Sequence, residues 1–192
     1  MNPERTEWIH LADLELIQAC LKGDQAAFRT LVRQYEPLIA ATVTGMLGRC
    51  PEADDIGQET FIRFYRSMDR FRGESGLGTY LTRIAMNLCL NELKRRKKRQ
   101  QHISSTSLEA VRQLTQVERD TLCEADRELI NKAIQSLTPK LRSVIVLRLL
   151  DGYSTRETAD ILKIPAGTVL SRLARAQEKL KTILWPDFGR ET

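Results

Sequence analysis

The sequence predicts an all-α protein of two small helical domains joined by a flexible linker, the second built around a helix-turn-helix. Three observations carry this. Apolar residues recur at spacings of three and four along most of the 192 residues, the period that gathers them on one helix face. Runs alternating apolar and polar, the mark of a half-buried strand, are scarce. Between the two periodic halves, residues 100–107 are polar and turn-rich and read as the start of a linker.

A first helix is expected over residues 11–21, ended by Lys22, Gly23 and Asp24. Asp24 can cap a second over 25–47, where Phe28, Leu31, Val32, Tyr35, Leu38 and Ile39 form the apolar stripe. Pro37 falls inside that span, so a kink or break is expected. After a turn at 48–51, a third helix over 53–68 carries Ile56, Thr60, Phe61, Phe64 and Met68 on one side. A glycine-rich loop over 71–80 leads into a fourth helix over 79–99. Residues 108–120 keep some helical spacing, enough for a short docked helix. The second half predicts helices at 126–136, 139–150, 154–162 and 166–184. Thr138 caps the second of these with Pro139 in its first turn, and Asp151 and Gly152 end it. Ser154 or Thr155 can cap the third, and Pro165 breaks it by disfavouring helix in the residue before. The resulting boundaries are 1–99 for the first domain, 100–124 for the linker, 125–185 for the second domain and 186–192 for a tail.

The composition, 42% hydrophobic and 29% charged, is that of an ordinary globular protein. No apolar run approaches the roughly 20 residues of a membrane helix, and residues 1–10 lack the pattern of a secretory signal, so a cytoplasmic protein with no membrane insertion is expected. The net charge of +5 is modest, but it is unevenly spread. Residues 94–99 are six consecutive cations, and residues 126–185 hold eleven Lys and Arg against six Asp and Glu. Two separate basic regions suit two contacts with a long polyanion. Cys20, Cys50, Cys89 and Cys123 form no C-x-x-C pair and lie far from His10 and His102, which argues against zinc and a disulfide framework.

Four constellations can carry function. Glu52, Asp54, Asp55 and Glu59 cluster at the head of the third helix, where acidic residues suit the helix dipole. Paired carboxylates also hold Mg²⁺ in phosphodiester chemistry, but nothing nearby completes such a site, so no metal, no cofactor and no catalytic residue is assigned. The loop with Gly73, Gly76 and Gly78 lacks the Gly-Lys-Ser/Thr ending of a nucleotide loop. Its flanking Phe71 and Tyr80 can stack on an unpaired base or can be core. The run at 94–99, with Arg83, makes a phosphate-tracking surface or a solvated helix end. Residues 154–176 read as two helices joined by a tight turn, with Val169, Leu173 and Ala176 inward and Ser171, Arg172, Arg175 and Lys179 off that stripe, the arrangement that enters a DNA major groove.

Together these pieces resemble a bacterial sigma factor of the extracytoplasmic-function (ECF) group, over nearly the whole chain. Gly23-Asp-Gln-Ala-Ala-Phe28 resembles the entry to the group's region 2. Asp54-Asp-Ile-Gly-Gln-Glu-Thr-Phe-Ile-Arg-Phe-Tyr65 is similar to its polymerase-binding helix. Phe71-Arg-Gly-Glu-Ser75 and Thr79-Tyr-Leu-Thr-Arg-Ile-Ala-Met-Asn87 are similar to its promoter-melting segment. Leu137-Thr-Pro-Lys-Leu-Arg142, Gly152-Tyr-Ser154 and Ile164-Pro-Ala-Gly-Thr-Val-Leu-Ser-Arg-Leu-Ala-Arg-Ala176 resemble region 4. Order and spacing make the match specific.

The resemblance implies a transcription-initiation factor without enzymatic activity. It implies that Asp54, Asp55, Gln58, Glu59 and Arg63 meet the β′ clamp of core RNA polymerase, and that the second domain meets the β flap. Phe71, Gly73, Ser75, Tyr80, Arg83, Asn87, Lys94 and Arg95 would bind and open the −10 element of promoter DNA. Ser154, Thr155, Arg156, Thr168, Ser171, Arg172 and Arg175 would bind the −35 element. An anti-sigma factor is an implied partner. Leu170 and Ala174 depart from the basic and larger residues often found at those positions, and Tyr80 stands for a common tryptophan. Two other functions compete: a stand-alone helix-turn-helix regulator, which leaves the acidic helix and aromatic loop idle, and a Mg²⁺-dependent nuclease using Asp54, Asp55 and Glu59.

Overall fold

A computed structural model describes residues 3–103 and 122–188, and every regular element among them is helical. The order is α1 (Pro3–Leu21), α2 (Gln25–Leu47), α3 (Pro51–Ser67) with a 3₁₀ turn at Met68–Arg70, α4 (Leu77–Ile103), α5 (Leu122–Ser136), α6 (Pro139–Ile145) with a π-type turn at Val146–Leu150, α7 (Thr155–Leu162) and α8 (Ala166–Phe188). Helix α1 starts eight residues earlier than its periodicity suggests, and α4 outruns its apolar stripe, its basic end continuing as helix to Ile103. The expected short helix at 108–120 lies outside the described residues.

Local chemistry fixes most of the boundaries. Asp24 Oδ1 accepts from the backbone N–H of Ala26 at 2.8 Å and of Ala27 at 3.1 Å, satisfying two orphan donors at the head of α2. Helix α2 runs unbroken through Pro37, which is exposed. Water can there satisfy the carbonyl that the proline leaves without a donor. Thr138 takes the N-cap position of α6 but makes no side-chain cap bond; Pro139 supplies the helix start instead. Ser154 caps α7 in a reciprocal box with Glu157, at 3.2 and 2.8 Å.

Helices α1 to α4 enclose the main core, in which Leu31, Ile39, Met46, Phe64, Leu81 and Met86 are fully buried. Asp13 pins α1 to it, accepting from the Tyr35 hydroxyl at 2.6 Å and from Gln34 Nε2 at 3.3 Å. Burial and the Asp13 carboxylate both push the Tyr35 hydroxyl well above its ordinary pKa. Gly78 lets α4 approach α2, since a Cβ there would lie 3.2 Å from Leu38 Cδ2 and 3.3 Å from Tyr35 Cε1. A second, smaller core joins Ile134, Leu137, Leu141 and Ile145 to Ala176 of α8.

The two halves are also packed on each other. Val146, Leu147 and Ile161 from the second half belong to the first half's core. Each such side chain stabilises by about 1.5–3 kcal/mol relative to exposure. Among the described residues, four hydrogen bonds cross the seam: Thr42 Oγ1 to Asp151 Oδ2 at 2.8 Å, Thr82 Oγ1 with Tyr153 OH at 2.8 Å, Gln135 Nε2 to Gly45 O at 2.8 Å, and Arg142 Nη1 to Met46 O at 2.5 Å.

Candidate functional site

Pro51 starts α3 at its first turn, and the buried stripe Ala53, Thr60, Phe61 and Phe64 fixes which face is left over. That outer face carries Asp54, Asp55 and Gln58, all exposed, then Glu59, whose carboxylate accepts from Arg63 Nε at 2.8 Å. Of the five residues expected to meet polymerase, Asp54, Asp55 and Gln58 therefore turn their polar heads to solvent, while Glu59 and Arg63 are paired with each other. Beside them lies an apolar groove that the residue spacing did not single out. Ile62 is 44% and Tyr65 53% exposed, and Tyr65 meets Phe28 edge to face at 4.9 Å across the groove. The available signal was two large apolar residues lying off the buried stripe of an otherwise charged helix. Among the described residues no group of three His, Cys, Asp or Glu side chains could hold a metal ion.

The glycine-rich loop brings Phe71 and Tyr80 together, 5.1 Å between centroids, and both stand edge to face against the buried Phe64. They are half-buried, so the pair is a wall of the core with one side open. Gly73 holds φ 71°, a left-handed conformation that strains any residue with a Cβ. Ser75 is half-exposed and Asn87 exposed. Arg83 is half-buried, and its Nε has no hydrogen-bond partner. Lys94 and Arg95 stand on the solvent side of α4, although Arg95 Nη1 comes within 3.5 Å of Glu92.

In the second half, Lys163 adopts the left-handed conformation at φ 52°, ψ 50°, and its N–H closes α7 on Ala159 O. Pro165 then opens α8, its carbonyl accepting from the N–H of Thr168 and Val169. Val169 and Ala176 are fully buried, which turns Leu170, Ser171, Ala174 and Arg175 to solvent. Arg156 is exposed beside them, while Thr155, Thr168 and Arg172 are half-buried. Two of the expected DNA contacts carry structural duties as well: Ser154 is the cap of α7, and the Ser171 hydroxyl donates to Thr168 O at 3.1 Å.

These surfaces lie on a recognisable plan. Residues 31–99 match the family model for Sigma-70 region 2, and residues 127–180 that for Sigma-70, region 4. A helical chain with both regions in this order is a sigma factor of the sigma-70 class. The chain is 37% identical over 190 residues to the ECF RNA polymerase sigma-E factor of Escherichia coli K12, covering 94% of this chain and 98% of that one. It is 32% identical over 182 residues to the RNA polymerase sigma-H factor of Pseudomonas aeruginosa PAO1, covering 91% and 94%. It belongs to the extracytoplasmic-function sigma factors. The fold is shared with the sigma factor RpoE of Bartonella quintana, solved with the anti-sigma factor NepR, at TM-score 0.67 and 24% identity over 83% of this chain and 98% of that one.

Proposed function

We propose that this sigma factor divides promoter recognition between its two halves, on the residues assigned above. The face of α3 with Asp54, Asp55, Gln58, Glu59 and Arg63 engages the β′ clamp of core RNA polymerase, and the second half engages the β flap. The loop and α4, through Phe71, Gly73, Ser75, Tyr80, Arg83, Asn87, Lys94 and Arg95, bind and open the −10 element. Helices α7 and α8, through Ser154, Thr155, Arg156, Thr168, Ser171, Arg172 and Arg175, read the −35 element in the major groove. The factor works in the cytoplasm, catalyses nothing itself and is held inactive by an anti-sigma partner, as the RpoE–NepR complex is of a sigma factor with its anti-sigma factor.

The observation that carries this reading is the pair of surfaces that the buried stripes leave over: an exposed acidic face on α3, and the exposed cations Arg156, Lys163 and Arg175 around the turn from α7 to α8. Reconstituted transcription with core polymerase over a promoter library tests it. Asp55→Arg should weaken core binding and leave duplex binding by the second half unchanged. Arg175→Ala should weaken −35 binding by about 1–3 kcal/mol, the worth of a bidentate base contact. Promoter selection indifferent to both changes would overturn the division of labour.

A further inference from the structure

The six consecutive cations at 94–99 are not equivalent once α4 is built. Glu92, Arg95, Arg96 and Arg99 follow one another at three, one and three residues and share a face. The Glu92 side chain is only 9% exposed, and its carboxylate draws the arginines in: Arg99 Nη2 at 2.6 Å, Arg96 Nε at 3.5 Å and Arg95 Nη1 at 3.5 Å. Arg96 reaches on to α3, to Glu52 at 3.2 Å and to Cys50 Sγ at 3.2 Å. On the other side of the same helix, Asn87, Asn91, Lys94 and Lys98 follow at four, three and four residues with Lys97 alongside, and all five are exposed. Among the described residues none of the three lysines makes an ion pair, whereas Arg96 and Arg99 face Glu92 and Glu52, charge for charge. Arg95, 76% exposed, stands between the two sets.

We propose that Glu92 is a positioning residue that sorts this basic run. It turns Arg96 inward to clamp α3 against α4, holds the more exposed Arg99 in an ion pair along α4, and leaves Lys94, Lys97 and Lys98, with Asn91, to meet the phosphates of promoter DNA. The inference rests on the promoter-binding function proposed above and adds to it Asn91, Lys97 and Lys98 as contacts and Glu92 as the group that selects them. A buried carboxylate needs paired cations, and cations already paired release few counterions on binding DNA. The salt dependence of affinity therefore counts the cations that reach phosphate.

The test measures binding of the holoenzyme, full chain plus core polymerase, to a promoter fragment that the wild-type holoenzyme opens, from 50 to 200 mM salt. Replacing Lys94, Lys97 and Lys98 together by Gln should flatten the salt dependence, so that the wild type loses about 40-fold more affinity than the variant across that range. Arg99→Gln should leave the slope unchanged. Glu92→Gln should steepen it, because the released arginines join the phosphate-facing set, and Glu92→Asp should restore it. A merely structural Glu92 would weaken binding without steepening the slope. The sorting is overturned if Arg99→Gln flattens the slope as the lysine changes do, or if Glu92→Gln does not steepen it. A wild-type holoenzyme that opens no promoter overturns the underlying function as well, so the two failures are distinct.

Discussion

Lys163 holds the sharpest backbone turn between α7 and α8, and it does so without being glycine. A left-handed conformation costs an L-residue about 1–2 kcal/mol, and here the surrounding bonds fix it: the Lys163 N–H and the Ile164 N–H both end on Ala159 O. Lys163→Gly should therefore stabilise the chain by up to about 1 kcal/mol, less the extra unfolded-state freedom of glycine, while Lys163→Val should destabilise it by at least as much. Thermal melts of the two variants check the pair; equal effects of the same sign would sink the argument. Ser154→Ala at the other end of α7 removes one half of the capping box and should cost about 1 kcal/mol. Both ends of α7 show what a single chain reveals. The Ser154–Glu157 box is visible as residue types at a fixed spacing. The left-handed residue is not: Pro165 marks where the helix must stop, but which of the preceding residues absorbs the turn is settled by bonds back to Ala159.

Helix α3 is where legibility was highest and still incomplete. Its apolar stripe placed Phe61 and Phe64 in the core, and the same stripe left Asp54, Asp55 and Gln58 outside. Ile62 and Tyr65 lie off that stripe, but spacing does not show that they pair with Phe28 of α2 to form a groove; only packing does. Gly57 sits in the interior of this helix with nothing within 4 Å of the Cβ it lacks. No close approach inside the molecule requires it. Gly57→Ala should then raise stability by about 0.5–1 kcal/mol in thermal or denaturant unfolding. A loss of stability would show that the open space beside Gly57 is needed by the chain itself. The loop before α4 was legible in the opposite sense. Its glycines announced irregular backbone, but whether Phe71 and Tyr80 were free or core could not be read from spacing. Their shared contacts with Phe64 place them at the boundary.

At the scale of the whole molecule, the periodicity separated two helical halves but was silent on their docking, because contacts such as Thr42 with Asp151 join residues 109 positions apart. That docking conflicts with the work proposed for the protein. Elements about 25 base pairs apart lie roughly 85 Å apart along a duplex. A compact chain of this length has a radius of gyration of only about 16 Å. For the proposed reading of both elements the halves would have to part, and the seam would then set a cost on promoter binding. Two residues tune that cost. Gly45, inside α2, lets Val146 pack so closely that a Cβ would lie 3.0 Å from its Cγ2. Gly45→Val should pry the seam open and enlarge the chain in small-angle scattering at any pH. Asp151 is subtler. Burial raises its carboxyl pKa to about 6, partly offset by the bond from Thr42. The Thr42 hydroxyl has one proton and two acceptors, Asp151 Oδ2 at 2.8 Å and Leu38 O at 3.0 Å. A protonated Asp151 can donate to Thr42 and free that proton for Leu38; an ionised one cannot. The docked form is therefore favoured fully below the ordinary carboxyl value near 3.8, and this advantage is lost as pH rises through about 6. The free chain should be measurably more expanded at pH 8 than at pH 5. Asp151→Asn, which keeps a neutral donor at the same place, should stay compact at both. If the variant expands with pH as the wild type does, another group drives the opening and Asp151 does not.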